Sequence, residues 1–312
     1  MKYIAAGNTM IDQIMAADGT VSSRHMGGPA PFACAGMRVF SDEVGILSNV
    51  GQDFDSVFGD WATNANINLS GVHRMTDYTH CFTLKYNQDG TYKADIGKEL
   101  AQYHRELGYM EVTAKQFMQH TKGCEVLYFF YDCFNPVFWR QLGEAKRANG
   151  FKLMWEMSGA SAFPAYLKDI KQIISDLKIE MFSLNWPETK NLFKTNDKVE
   201  GMRQLMSLGA PVVFFRDGTN GAYVIKGNSY WHFPMIESGS VDPTGCGNTS
   251  TGAFACAYHM TGDPVLAGAM ANVAGSLNAA QYGVIPHFSA QQRSKAIQLA
   301  QKLVTTVKEN SL

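Results

Sequence analysis

The residues with the clearest chemistry in this chain lie at 242–254, Asp-Pro-Thr-Gly-Cys-Gly-Asn-Thr-Ser-Thr-Gly-Ala-Phe. The turn Gly245-Cys246-Gly247 opens directly into a run of helical character. A glycine-rich turn at that point aims successive backbone N–H groups at one spot, and the positive end of the helix dipole adds to them. The combination is a trap for an anion, and a phosphate fits it well. A second group, Asn185-Trp186-Pro187-Glu188, follows an apolar run at 180–184. These four residues read as a helix start, with Asn185 as cap, Pro187 in the first turn and Glu188 favoured by the dipole.

These groups need a scaffold. Short apolar runs at 3–6, 43–48, 126–131, 151–155, 180–184 and 212–215 predict buried strands. Helical patterns at 30–39, 54–64, 136–148, 165–177, 198–208, 248–260, 264–281 and 290–309 alternate with them. Alternation of this kind predicts a mostly parallel sheet covered by helices. Two segments break the rhythm: 79–92 reads as a hairpin around Asp89-Gly90, and 222–234 as a second around Gly227-Asn228. The chain shows no internal repeat, low-complexity tract or linker.

The 312 residues are 46% hydrophobic and 18% charged with a formal net charge of −1, which marks a globular chain. The basic stripe of a nucleic-acid binder is missing, and no apolar run reaches membrane-spanning length. Six cysteines are scattered without C-x-x-C spacing, which argues against a zinc site or a disulfide framework. The N-terminus reads as a strand rather than a signal peptide, so a cytoplasmic location with reduced thiols is expected. A dinucleotide-binding oxidoreductase is disfavoured, because the first strand is not followed by Gly-x-Gly-x-x-Gly.

Taken in order, the motifs resemble those of the ribokinase/PfkB family of carbohydrate and nucleoside kinases, and the likeness spans nearly the whole chain. Gly7-Asn8-Thr9-Met10-Ile11-Asp12 is similar to the family's opening strand with its sugar-binding Asp. Gly27-Gly28-Pro29-Ala30-Pro31-Phe32 is similar to its Gly-Gly signature, where paired glycines let backbone approach a ligand. Asn185 and Glu188 match its Asn-x-x-Glu, which implies that they steer Mg²⁺ through water; Mg²⁺ prefers oxygen ligands and keeps several waters, so one amide and one carboxylate suffice, and the helix-cap reading can hold at once. Arg216, Asp217, Gly218 and Gly221 fall on its nucleotide-side strand and turn. The 242–254 segment matches Asp-Thr-x-Gly-Ala-Gly-Asp, with Asn248 at the place of the catalytic Asp.

The resemblance implies a three-layer ribokinase-like α/β fold, one domain over 1–312, with a small β lid from about 12–26 and 76–98. It implies ATP and Mg²⁺ as cofactors, K⁺ as a candidate at Asp242, a sugar or nucleoside-like acceptor, and a homodimer contact through the lid. Asp12, Gly27, Gly28 and Phe32 would meet the acceptor. Phe32 stands where many members place Asn, so an apolar or stacking contact is expected. Gly245, Cys246 and Gly247 would form the anion hole; Arg216, Gly218, Gly221 and Asn272 would lie on the nucleotide side. Arg216 could equally pair with Asp217 or Glu188. Gly51 and Asp53 are expected to shape a turn and cap the next helix. Asn248 leaves open an active kinase with its base elsewhere, a slow or inactive ligand-binding relative with a regulatory or scaffolding role, or an introduced Asp-to-Asn change.

Overall fold

Strands buried on both faces read as continuous apolar runs, and their alternate residues must serve two cores. In Tyr3–Ala6 (β1), Tyr3 and Ala5 join one core, while Ile4 and Ala6 join the other. In the computed structural model, residues 1–88, 108–236 and 239–312 are described in full and 92–95 as backbone. The remaining strands are Met10–Met15 (β2), Val21–Gly27 (β3), Val44–Gly51 (β4), Asn68–Thr76 (β5), Cys81–Tyr86 (β6), Tyr92–Asp95 (β7), Val126–Tyr131 (β8), Lys152–Met157 (β9), Met181–Asn185 (β10), Val212–Arg216 (β11), Ala222–Lys226 (β12), Ser229–Phe233 (β13) and Glu309–Ser311 (β14).

Ten strands form one sheet in the order β14-β13-β12-β11-β10-β9-β8-β1-β4-β5. Every pairing from β11 across to β5 is parallel, and β11 to β14 continue antiparallel. On one face lie Pro29–Phe40 (α1), Phe54–Asn64 (α2), Cys246–Thr261 (α8), Pro264–Ala279 (α9) and Ala290–Val304 (α10). The other face is covered by Ala114–His120 (α3), Pro136–Asn149 (α4), Leu167–Leu177 (α5), Trp186–Phe193 (α6) and Lys198–Met206 (α7).

A separate four-stranded sheet, order β3-β2-β6-β7, forms the lid. It consists of two antiparallel hairpins joined by a parallel β2–β6 pairing. The strands flanking the expected hairpin pair from Tyr86 to Tyr92, but Asp89 and Gly90 lie outside the described residues, as do positions 96–98. The second hairpin is β12–β13. Two expectations are corrected. The last helix stops at Val304 rather than 309, because Glu309–Ser311 pairs with β13. Asp53 does not cap α2 through its side chain; its Oδ1 accepts from the Thr79 N–H and hydroxyl, each at 2.7 Å, and so ties the α2 turn to the lid.

Glycines set how closely α1 and α8 approach. A Cβ on Gly36 would stand 2.0 Å from the Thr249 carbonyl oxygen, and one on Gly252 would stand 2.3 Å from the Ala33 carbonyl oxygen. Both obstacles are backbone, which cannot swing aside as a side chain can. Gly36→Ala should therefore destabilise the protein by about 1–3 kcal/mol. Gly59→Ala in α2, whose nearest obstacle is 3.8 Å away, should be neutral or stabilise by about 0.5–1 kcal/mol. Chemical denaturation of both variants checks this, and equal midpoints would refute the tight crossing.

Candidate active site

Residues two apart on a strand share a face. Tyr128 on β8, Glu156 on β9, Asn185 on β10 and Arg216 on β11 are each in step with a core residue on the α8 side: Val126, Met154, Met181 and Phe214. Glu156, Asn185 and Arg216 sit at or near the carboxyl ends of parallel strands, where open α/β sheets place their ligand crevice, and Tyr128 lies mid-strand in β8. The start of α8 lies over them.

Gly245 is the N-cap of α8 with φ +75°, a left-handed conformation that favours glycine. A Cβ there would collide with the Phe32 ring at 2.3 Å. Phe32 is 2% exposed, so its ring is the floor beneath Gly245 rather than an open surface for an acceptor, contrary to the sequence expectation. The Cys246 N–H donates to the Pro243 carbonyl at 3.2 Å. The N–H groups of Gly245, Gly247 and Asn248 have no partner among the described residues, and the helix ladder begins with Thr249 N–H to Gly245 O at 2.8 Å. Burial pushes the Cys246 thiol up to about 11, and it stays uncharged at neutral pH. The turn thus offers donors without a competing negative charge.

Beside it lies a buried polar network. The Glu156 carboxylate is 1% exposed. Its Oε1 forms an ion pair with Arg216 Nη1 at 2.9 Å and accepts from Asn248 Nδ2 at 3.0 Å, and its Oε2 accepts from Tyr128 Oη at 2.7 Å. Asn248 Nδ2 also donates to Tyr128 Oη at 3.1 Å. The Arg216 guanidinium reaches under the turn: a Cβ on Gly247 would lie 2.3 Å from Nη1. Arg216 Nε is buried without a partner among the described residues. Of the partners expected for Arg216, Asp217 is taken by Lys198, while Glu188 stands at 3.9 Å.

Asn185 and Glu188 form a reciprocal capping box. Glu188 N–H donates to Asn185 Oδ1 at 2.9 Å, and Asn185 N–H to Glu188 Oε2 at 3.0 Å. Burial raises the Glu188 carboxyl, opposed by the Arg216 charge. Asp242 is 2% exposed; its Oδ1 accepts from the Thr244 N–H and hydroxyl, and its Oδ2 is buried with no partner among the described residues.

The chain from residue 2 to 291 matches the model of the pfkB family carbohydrate kinases. The chain belongs to that family. No curated protein matches it at significant similarity. In fold it is similar to the Escherichia coli protein described as ribokinase II, at 16% identity over 95% of this chain and 99% of that one. TM-scores are 0.75 for its apo form and 0.71 for its complex with ATP and Mg²⁺. It is likewise similar to Arabidopsis thaliana ribokinase complexed with ribose and ATP, at 16% identity, TM-score 0.70, over 96% and 98% of the two chains. Burkholderia thailandensis nucleoside kinase in complex with inosine gives 14% identity, TM-score 0.70, over 96% of each chain.

In this PfkB-family chain, Asp12 stands where Gly27 leaves room: a Cβ on Gly27 would be 1.7 Å from Asp12 Oδ2. Gly28, at φ +92°, approaches the Asn8 carbonyl so closely that a Cβ would be 2.4 Å from it. The lid meets the turn where Tyr86 Oη and Thr244 Oγ1 bond at 2.7 Å. After β11, Gly218 (φ +55°) is open, and a Cβ there would meet nothing within 4 Å. Gly221 is closed instead: a Cβ would be 2.0 Å from the Phe233 carbonyl, so it serves the close approach of the start of β12 to the end of β13. Asn272 Nδ2 donates to the Pro234 carbonyl at 2.5 Å. Sequence reading missed Glu156 and Tyr128. The signal was a carboxylate one residue beyond the apolar run 151–155, in a strand that runs on to Met157.

Burial, then the nearby Asp242 charge, pushes the Asp12 carboxyl up to about 7 against the opposing Gly28 N–H bond. The folded chain therefore holds this proton more tightly than the unfolded chain does, and stability falls as pH rises from the ordinary carboxyl range through about 7. Asp12→Asn removes that cost. Its gain in melting temperature over the native protein should grow between about pH 5 and about pH 8. A pH-independent difference would contradict the assignment.

Proposed function

We propose that the protein transfers the γ-phosphoryl group of ATP, with Mg²⁺, to a hydroxymethyl group of a sugar or nucleoside-like acceptor. The observation that carries this reading is the unpartnered N–H set at Gly245, Gly247 and Asn248 with the Arg216 guanidinium beneath it. Of the expected anion hole, Cys246 contributes the turn rather than its N–H. Asp12 and the Gly27-Gly28 backbone hold the acceptor, and Gly218 and Asn272 border the nucleotide. Asn185 and Glu188 steer Mg²⁺ through water, which fits a carboxylate already oriented by its capping bond. Mg²⁺ neutralises charge on the phosphates when bound. The orphaned Asp242 Oδ2 fits a monovalent cation such as K⁺.

Asn248 is no general base, and a positioned base typically contributes ~10²–10⁴-fold. Phosphoryl transfer depends chiefly on position and charge through a loose transition state, so a slow reaction survives the loss. In this reading residues 1–312 act as one catalytic unit closed by the lid. The protein is cytoplasmic, and a homodimer forms through the lid, whose edge strand β3 carries Val21 at 45% exposure.

Turnover of ATP with Mg²⁺ against a panel of sugars and nucleosides tests the reading. At least one acceptor should be phosphorylated. Gly247→Ala, which drives a methyl into Arg216, should lower kcat on the order of 10²-fold. Tight ATP binding with no phosphorylated product from any acceptor would assign the chain to ligand binding instead.

A further inference from the structure

We propose that Glu156 is a positioning residue for the acceptor hydroxyl: it fixes the Asn248 amide with Oδ1 facing the acceptor, and it excludes a carboxylate from position 248. The inference deepens the phosphotransfer reading and rests on it.

The orientation of the amide follows from the donors available. A carboxylate only accepts, so Tyr128 Oη spends its one hydrogen on Glu156 Oε2 at 2.7 Å. Tyr128 Oη is then an acceptor toward Asn248, and so is Glu156 Oε1. Both must face Nδ2. Turning the amide over would set Oδ1 against two oxygens with no hydrogen between them. Oδ1 is thereby directed away from the network, and it accepts no bond among the described residues. An acceptor hydroxyl beside the anion-binding turn meets a fixed oxygen that receives its hydrogen bond but cannot take its proton.

The identity of residue 248 follows from charge. Arg216 supplies one positive charge, and Glu156, at 2.9 Å, matches it. An aspartate at 248 would place a second carboxylate about 3 Å from Glu156, where two such groups cannot both ionise. It would also present net negative charge to an incoming phosphate. Asn248 adds no second negative charge beside Glu156, so the carboxylate stands on β9 rather than on the first turn of α8.

Four proteins test the pairing: native, Asn248→Asp, Glu156→Gln and the double exchange. Thermal stability is read in all four, and kcat and KM separately. Asn248→Asp should lower the melting temperature, and the double exchange should recover most of the loss, a strongly non-additive result. Glu156→Gln should lower kcat about tenfold or more with KM for ATP little changed, and the double exchange should restore kcat. Tyr128→Phe keeps the ring volume and removes one orienting bond; kcat should fall about two- to tenfold. Additive stabilities, or Asn248→Asp as stable as native and faster than the double exchange, would overturn the proposal. The stability cycle needs no turnover, so it decides the pairing even if the acceptor panel defeats the phosphotransfer reading.

Discussion

The backbones of α1 and α8 cross where Gly36 meets the Thr249 carbonyl and Gly252 meets the Ala33 carbonyl. Neither helix can carry a side chain there. This crossing sets the geometry of the site, because each helix begins at a glycine with a left-handed backbone, Gly28 for α1 and Gly245 for α8. The Phe32 ring, one turn into α1, fills the space under Gly245 and so transmits the position of one helix start to the other. The Gly27-Gly28 loop and the Gly245 turn are thus held together by one packed helix crossing. Interiors packed at crystal-like density hold such a relation far more tightly than loops could.

The second determinant is the placement of charge. Parallel strands deliver Tyr128, Glu156, Asn185 and Arg216 to neighbouring positions on one face. A buried guanidinium without a partner would be costly, and so would a lone buried carboxylate. Glu156 and Arg216 offset each other, and Arg216 still faces Gly247 with its Nε unsatisfied. The residual donor capacity lies where a phosphate would be held. Asp12 and Asp242 show the opposite case, two nearby carboxylates with one held up to about 7. Hydrogen-bond donors therefore lie beneath the turn and carboxylates toward the small sheet.

Much of this was legible in the residues. The apolar runs at 3–6 and 126–131 coincide with β1 and β8, and the 54–64 pattern with α2, because buried parallel strands and amphipathic helices carry strong periodic signals. The turn at Gly245 and the cap at Asn185 were readable because glycine and capping residues have local causes. What escaped was non-local. Glu156 sits inside an apolar strand, and its meaning depends on Arg216, Tyr128 and Asn248, which only the sheet order brings together. Phe32 was expected to face a ligand, but tertiary packing placed Gly245 over it. The short pairing of β14 with β13 overrode a helical pattern that ran on to 309.

The bond between Tyr86 and Thr244 has a thermodynamic meaning. The Thr244 hydroxyl spends its hydrogen on Asp242 Oδ1 at 2.6 Å, so Tyr86 on the lid must be the donor to Thr244 Oγ1. Displacing β6 removes that donor and alters the very oxygen that shapes the Asp242 carboxylate. Under the proposed function, a cation on Asp242 and a molecule enclosed by the small sheet would act on a common pair of hydroxyls. By reciprocity, whatever factor the first applies to the affinity of the second is returned unchanged.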